Sequence, residues 1–308
     1  MTRRRLTRYL TFAAVLAWAA WGVHGSLVYG SNYYKYRGFP PPTDPKGVPV
    51  GRLVHVSFYS PALGQRRSYL IYLPPGYRKA AAHGHRFPVY YFMHGSPGRP
   101  IAPFLVARIG VVYDVLLHQH RIKPFLMVMP DGRNGTLKSD TEWANTVGAG
   151  RYGSFVTDVV HAVDSRWATI PKRQDRMIAG YSEGAYAALN LSLHDLGTFG
   201  SLESWSGYTH EQANSGPFAG EPLAAIRANE PNLYLPRVAA RVRRLGLRAY
   251  LYTGIHDHSR RQVISYGREL RAAGAKVTLS LFPGGHNWRM WREHTPQMLL
   301  WASKVFGS

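Results

Sequence analysis

Apolar and polar positions change rhythm several times along the 308-residue chain. Residues 9–34 carry no charge, and the apolar centre at 10–29 is about 20 residues long, enough for a helix across a bilayer. Arg3, Arg4, Arg5 and Arg8 come just before it. Such arginines stay on the cytoplasmic side and would place the rest of the chain outside. A cleaved secretory signal is the alternative, with Ala17-Trp18-Ala19 and Val23-His24-Gly25 as small-residue cleavage sites. Trp18, Trp21 and the length of the stretch favour the uncleaved anchor. Phe39-Pro40-Pro41-Pro42 and Pro45 then read as a stiff, extended linker.

Beyond residue 50 the rhythm alternates. Residues 87–93, 176–179 and 248–254 are short apolar runs with strand character, and 276–282 alternates as a last strand. Residues 185–191 and 260–273 have helical patterning. Strands alternating with helices predict an α/β fold: a mostly parallel central sheet with helices on both faces. Residues 208–236 break the alternation with Pro217, Pro222, Pro231 and Pro236, and read as a small insertion over the site that helps shape a substrate pocket. The expected organisation is an anchor or signal peptide at 1–30, a Pro-rich linker at 31–50 and one catalytic domain at 51–308.

The chemistry begins at Gly180-Tyr181-Ser182-Glu183-Gly184, a G-x-S-x-G motif between a predicted strand and a predicted helix. That context marks the nucleophile elbow of an α/β-hydrolase. The turn strains the serine backbone, and its glycines avoid clashes with the neighbouring strand and helix. In this fold the acid and the base follow the serine in that order. Asp257 lies on the loop leaving the strand at 248–254, and His286 on the glycine-rich loop after the last strand. Ser182 is therefore the expected nucleophile, His286 the general base and Asp257 the residue that orients it. His256 and His258 read as loop residues, and Asp131 precedes the serine, the wrong order for the triad acid. Oxyanion donors are expected from the backbone N–H of Glu183 and from the loop after the strand at 87–93, with Ser96 first and Gly95 second. Pro97 has no N–H to give.

Together these segments resemble the esterase D-like branch of the α/β-hydrolases, which includes S-formylglutathione hydrolases, feruloyl esterases and the antigen 85 mycolyltransferases. The resemblance rests on several stretches over residues 51–305. An opening hairpin runs from Phe58-Tyr59-Ser60 to Pro74-Pro75-Gly76-Tyr77. Met93-His94-Gly95, Val128-Met129-Pro130-Asp131-Gly132 and Thr141-Glu142-Trp143-Ala144-Asn145 follow. The elbow and Pro283-Gly284-Gly285-His286-Asn287-Trp288 complete the set. It implies an esterase whose nucleophile, acid and base map onto Ser182, Asp257 and His286. Asp rather than Glu as the acid weakens the mycolyltransferase likeness.

Composition narrows the alternatives. The absence of cysteine excludes a disulfide, a thiolate metal site or a cysteine nucleophile. No His/Asp/Glu spacing suits zinc and no glycine loop suits a phosphate cradle, so catalysis is expected to need neither metal nor cofactor. A net charge of +21 includes Arg237, Arg241 and Arg244 at helical spacing. That face is either a solvated surface or an attraction to anionic headgroups or cell-wall polymers. With no recognised motif for it, nucleic acid is not an expected partner. The expected partners are a small-molecule, lipid or sugar ester and, through the N-terminal segment, a membrane. An acyltransferase of the same fold and a non-catalytic cell-envelope binding protein on this scaffold are the competing readings.

Overall fold

In a computed structural model, the backbone is described for residues 3–135, 141–209 and 216–307, with side chains from residue 12 onward. The side chains of Arg3, Arg4, Arg5 and Arg8, and residues 210–215 of the expected insertion, lie outside the described residues. The strands are β1 Arg52–Ser60, β2 Gln65–Leu73, β3 Val89–Met93, β4 Leu126–Pro130, β5 Asn145–Thr146, β6 Gly150–Arg151, β7 Arg176–Tyr181, β8 Ser201–Trp205, β9 Arg248–Gly254 and β10 Lys276–Phe282. The helices are α1 Arg3–Tyr36, α2 Tyr77–Ala82, α3 Ala102–Leu105, α4 Ile109–His118, α5 Tyr152–Arg166, α6 Glu183–His194, α7 Leu223–Ala228, α8 Pro231–Leu245, α9 Arg260–Ala272 and α10 Trp288–Val305.

The central sheet has the order β1-β2-β4-β3-β7-β8-β9-β10. Only the opening hairpin is antiparallel: β1 pairs with β2, and β2 with β4. From β4 to β10 every neighbour is parallel. Every residue of β3, β4 and β8 is buried, as expected of strands covered on both faces. One core layer joins the sheet to α5, α6, α8 and α9 through residues such as Val159, Leu189, Val242 and Leu270. The other joins it to α4 and α10 through Tyr113, Leu116, Trp291 and Leu299.

Chain order reverses beside β3. The chain leaves β3 toward β4 on one side and later returns to lay β7 on the other. Ligand sites of open α/β sheets lie outside the strand carboxyl ends at such a switch point. Met93 and Gly180 are paired there, so the loops after β3 and β7 emerge side by side.

The break at 208–236 is smaller than expected. Pro231 occupies the first turn of α8, where its missing N–H costs nothing, and Pro236 sits at an exposed position in the second turn. Residues 231–236 thus open the regular crossover helix into β9. The same helix carries Arg237, Arg241 and Arg244, all exposed.

Candidate active site

Ser182 sits at the β7–α6 junction with φ 55° and ψ −121°, a strained conformation for a residue with a side chain. The flanking glycines are required by contact. A Cβ on Gly180 would lie 2.3 Å from the Gly184 carbonyl oxygen, and one on Gly184 only 2.1 Å from that of Met93. The turn is fixed further by Ser182 N–H donating to Trp205 O at 3.0 Å.

The loops after β9 and β10 approach as closely. A Cβ on Gly254 would lie 2.3 Å from Gly284 O, and His256 N–H donates to that oxygen at 2.9 Å. This clasp brings Asp257 and His286 together. His286 Nδ1 lies 3.1 Å from Asp257 Oδ2, and Nε2 lies 2.8 Å from Ser182 Oγ. A carboxylate can only accept, so Nδ1 carries the proton and Nε2 is left to accept from the Ser182 hydroxyl.

Asp257 is pinned from several directions. Ser259 donates to its Oδ1 from both N–H and Oγ at 2.9 Å. Burial alone would raise this carboxyl, but hydrogen bonds from His286, Ser259 and Ser206 outweigh it and hold Asp257 well below the usual carboxylate range. Ser206 is itself fixed by the Trp291 indole, which donates to its Oγ at 3.1 Å. Trp291 also meets the His286 ring edge-on at 5.1 Å between centroids.

The other expected residues divide. Ser96 lines the cleft over Ser182, whereas Gly95 and Glu183 are buried beside the serine. A Cβ on Gly95 would touch that of Ser182 at 3.0 Å. Asp131 is ion-paired with Arg133 at 2.7 Å and takes no part in the Ser182 chain. His258 does lie on a loop, as expected, but it also packs against His286 at 4.6 Å between ring centroids. Asp257, His258 and His286 bring three possible metal-ligand atoms within 4.8 Å of one another. Two of these residues already belong to the Ser182 chain and the third is exposed.

Sequence reasoning assigned no role to His94. Gly132 N–H donates to its Nε2 at 3.1 Å, so Nδ1 carries the proton and faces Gly95 O at 3.0 Å. Burial pushes His94 down to about 4, keeping it neutral. The imidazole thus braces the turn after β3 against the turn after β4, and a histidine at a strand end before glycine was the available signal.

One further group was not anticipated. The cleft has a volume of about 630 Å³, and one of its walls is Tyr33, Arg37 and Phe39, from the end of α1 and the chain just after it. Trp288, Arg289 and Trp291 of α10 form another part. None of the described residues of 208–236 lines it, and 210–215 lie outside the described residues. Tyr181, Trp288 and Trp291 line the cleft, whereas Trp205 is sealed in the core. Tyr208 stacks on Tyr186.

Comparison with known proteins agrees with this architecture. An endo-1,4-beta-xylanase/feruloyl esterase of Xylanibacter ruminicola is 26% identical over 181 residues, 58% of this chain and 24% of that protein. A protein named as an esterase in Mycobacterium tuberculosis is 27% identical over 157 residues, 51% of this chain and 32% of that protein. The chain therefore spans about a quarter to a third of the length of these curated relatives. A solved ferulic acid esterase superposes with a TM-score of 0.74 at 21% identity, covering 83% of this chain and 100% of that one. An S-formylglutathione hydrolase from Agrobacterium tumefaciens gives 0.69 at 14% identity, covering 87% and 100%. These structures share the α/β-hydrolase fold. A family description, "Putative esterase", matches residues 60–302, nearly the whole sheet and all the loops around Ser182, and the chain belongs to that family.

Proposed function

We propose that this protein is a serine hydrolase of carboxylic esters that works through an acyl-enzyme. The observation that carries the reading is the unbroken chain Ser182 Oγ, His286 Nε2, His286 Nδ1, Asp257 Oδ2, with steps of 2.8 and 3.1 Å, mounted on a strained elbow. Ser182 attacks the ester carbonyl carbon while His286 takes its proton at Nε2. Asp257, kept ionised by its hydrogen bonds, holds the ring and stabilises the imidazolium. The backbone N–H groups of Glu183 and Ser96, with Gly95 as the alternative to Ser96, receive the oxyanion. Collapse expels the alcohol oxygen with the proton from His286. Water then enters by the same route, and the carboxylic acid leaves with Ser182 restored.

Residues 51–308 are the catalytic unit in this reading, and α1 holds it outside the cytoplasm. Phe12–Tyr36 is long and apolar enough to cross a membrane, and its apolar stretch is exposed up to the last turns, where it meets the domain. Aromatic residues gather at its far end, Tyr29, Tyr33, Tyr34 and Tyr36, as at a membrane–water interface. The protein is then expected in the membrane fraction after a high-salt wash. A shortened soluble form would point to a cleaved signal instead.

The direct test is hydrolysis of p-nitrophenyl esters from acetate to palmitate, with labelling by a fluorophosphonate probe. Serine-dependent turnover and labelling at Ser182 are expected. Folded protein that neither turns over any ester nor takes the label would refute the reading.

A further inference from the structure

The end of α1 returns onto the catalytic domain. Arg37 is half-buried, and its N–H donates to Tyr33 O at 2.7 Å. The Arg99 guanidinium lies 4.5 Å over the Tyr34 ring, and that of Arg292 lies 4.8 Å over the Phe39 ring. A candidate membrane helix and the wall of the cleft over Ser182 are therefore one continuous piece of chain. At about 1.5 Å per residue, the 25 residues of Phe12–Tyr36 extend roughly 37 Å, somewhat more than the ~30 Å hydrocarbon core. The last turn, and the cleft it borders, would stand at headgroup level.

Behind Phe39 lies a second groove of about 560 Å³, and it meets the first at Phe39 and Arg289. Both volumes are in the ligand-sized range of roughly 300–1,000 Å³. The groove floor is apolar, with Ala107, Val111, Val112 and Leu116. The charges around the joined space are one-sided. Arg37 and Arg289 stand in the cleft, and Arg108, Arg121 and Arg292 in the groove. Among the described residues none of these five pairs with a carboxylate, and Glu293 is the one acidic residue lining the groove. Guanidinium groups without carboxylate partners among the described residues, beside an apolar slot, match a lipid that joins an acyl chain to an anionic headgroup.

We propose that this site takes the ester of an anionic acyl lipid from the bilayer that holds α1. Arg37 and Arg289 receive the headgroup charge, and the groove behind Phe39 receives the acyl chain. The proposal rests on the serine-esterase reading. Ser182 Oγ bonds to the acyl carbon as the lipid's alkoxide oxygen leaves with the proton from His286. Water then releases the fatty acid.

The test uses full-length protein in vesicles holding phosphatidylglycerol and phosphatidylcholine in equal amounts, their acyl chains tagged by length. Both lipids then share one surface potential, and the ratio of released fatty acids reads selectivity alone. Wild type should favour the anionic lipid by about tenfold or more, the range of a charge-assisted contact. Arg37→Gln with Arg289→Gln should bring the ratio close to one, and the paired Arg→Lys changes should restore most of it. A ratio internal to each preparation is insensitive to partial misfolding. Equal release of both lipids, or p-nitrophenyl ester turnover with no lipid release, would overturn this proposal and leave the esterase reading standing. Charge preference seen only with water-soluble anionic esters would overturn the bilayer source. Absence of turnover on every ester would overturn the reading beneath it.

Discussion

The two walls of the cleft are built by different means. On one side stand Ser182 and His286, with Asp257 buried behind them, each within a few residues of a strand end and each held by hydrogen bonds from neighbouring loops. On the other stand Tyr33, Arg37, Phe39 and Arg289, brought in by a distant helix end and an exposed face of α10 and held by guanidinium–ring packing. The first wall fixes atoms to a fraction of an ångström, as bond-making requires. The second sets shape and charge with contacts that are individually worth about 0.5–2 kcal/mol. In the proposed reading, reaction chemistry and substrate choice are carried by separable parts of the chain.

The sharpest way to break this comparison is to cut the first wall. Ser182→Ala should lower ester turnover by on the order of 10⁴–10⁶ in steady-state assays, with the circular dichroism spectrum unchanged. A tenth of the activity surviving would remove Ser182 from the role. Asp257→Asn should cost about 10⁴, because the amide disturbs both the His286 tautomer and the stabilised imidazolium. Gly184→Ala tests the frame itself. Its Cβ would lie 2.1 Å from Met93 O, so the elbow must shift, with a lowered melting temperature and roughly hundredfold slower turnover.

Changes to the second wall should be milder and of another kind. Phe39→Ala opens the passage between cleft and groove and should raise KM for long acyl esters about three- to tenfold, with kcat nearly kept. A fall in kcat as large as that of Asp257→Asn would mean the walls are not separable. Glu203 offers the smallest test, being a polar group in the frame but outside the catalytic chain. It accepts from Tyr90 Oη at 2.6 Å and from the Trp205 indole at 3.1 Å, and burial pushes it up to about 8 from an ordinary 4.5. Between those values the unfolded chain loses a proton that the folded chain keeps. Stability should therefore fall as pH rises from about 4.5 to 8, by at most ~1.4 kcal/mol per pH unit. Glu203→Gln should flatten that slope in denaturant titrations while turnover at a fixed pH stays within about twofold.

The same division explains what the sequence disclosed. The last two strands were legible to the residue, β9 at 248–254 and β10 at 276–282, because apolar runs ended by Gly254 and by Pro283-Gly284-Gly285 have few other readings. The positions of Ser182, Asp257 and His286 followed from strand order, since local signals place each one at a carboxyl end. The wall from α1 was not legible. Nothing in residues 33–39 encodes which distant surface they meet, and their proline-rich continuation read only as a linker. The start of helix α8 was not legible, because Pro231 and Pro236 count against a helix interior; Pro231 in fact occupies the first turn, where a proline is compatible with a helix, and Pro236 an exposed position in the second. His94 was passed over because its bonds to Gly132 and Gly95 exist only once two loops meet.

The strained backbone at Ser182 carries a consequence for evolution. A residue held at φ 55° and ψ −121° destabilises the folded chain by on the order of 1–3 kcal/mol, whereas glycine adopts that conformation without penalty. Even after glycine's extra freedom in the unfolded chain, about 0.5–1 kcal/mol, Ser182→Gly should melt a few degrees higher than wild type. With Ser182 as the proposed nucleophile, thermal robustness and catalysis select for different residues at this one position. A descendant relieved of its enzymatic duty could drift toward a sturdier, inert scaffold in a single substitution.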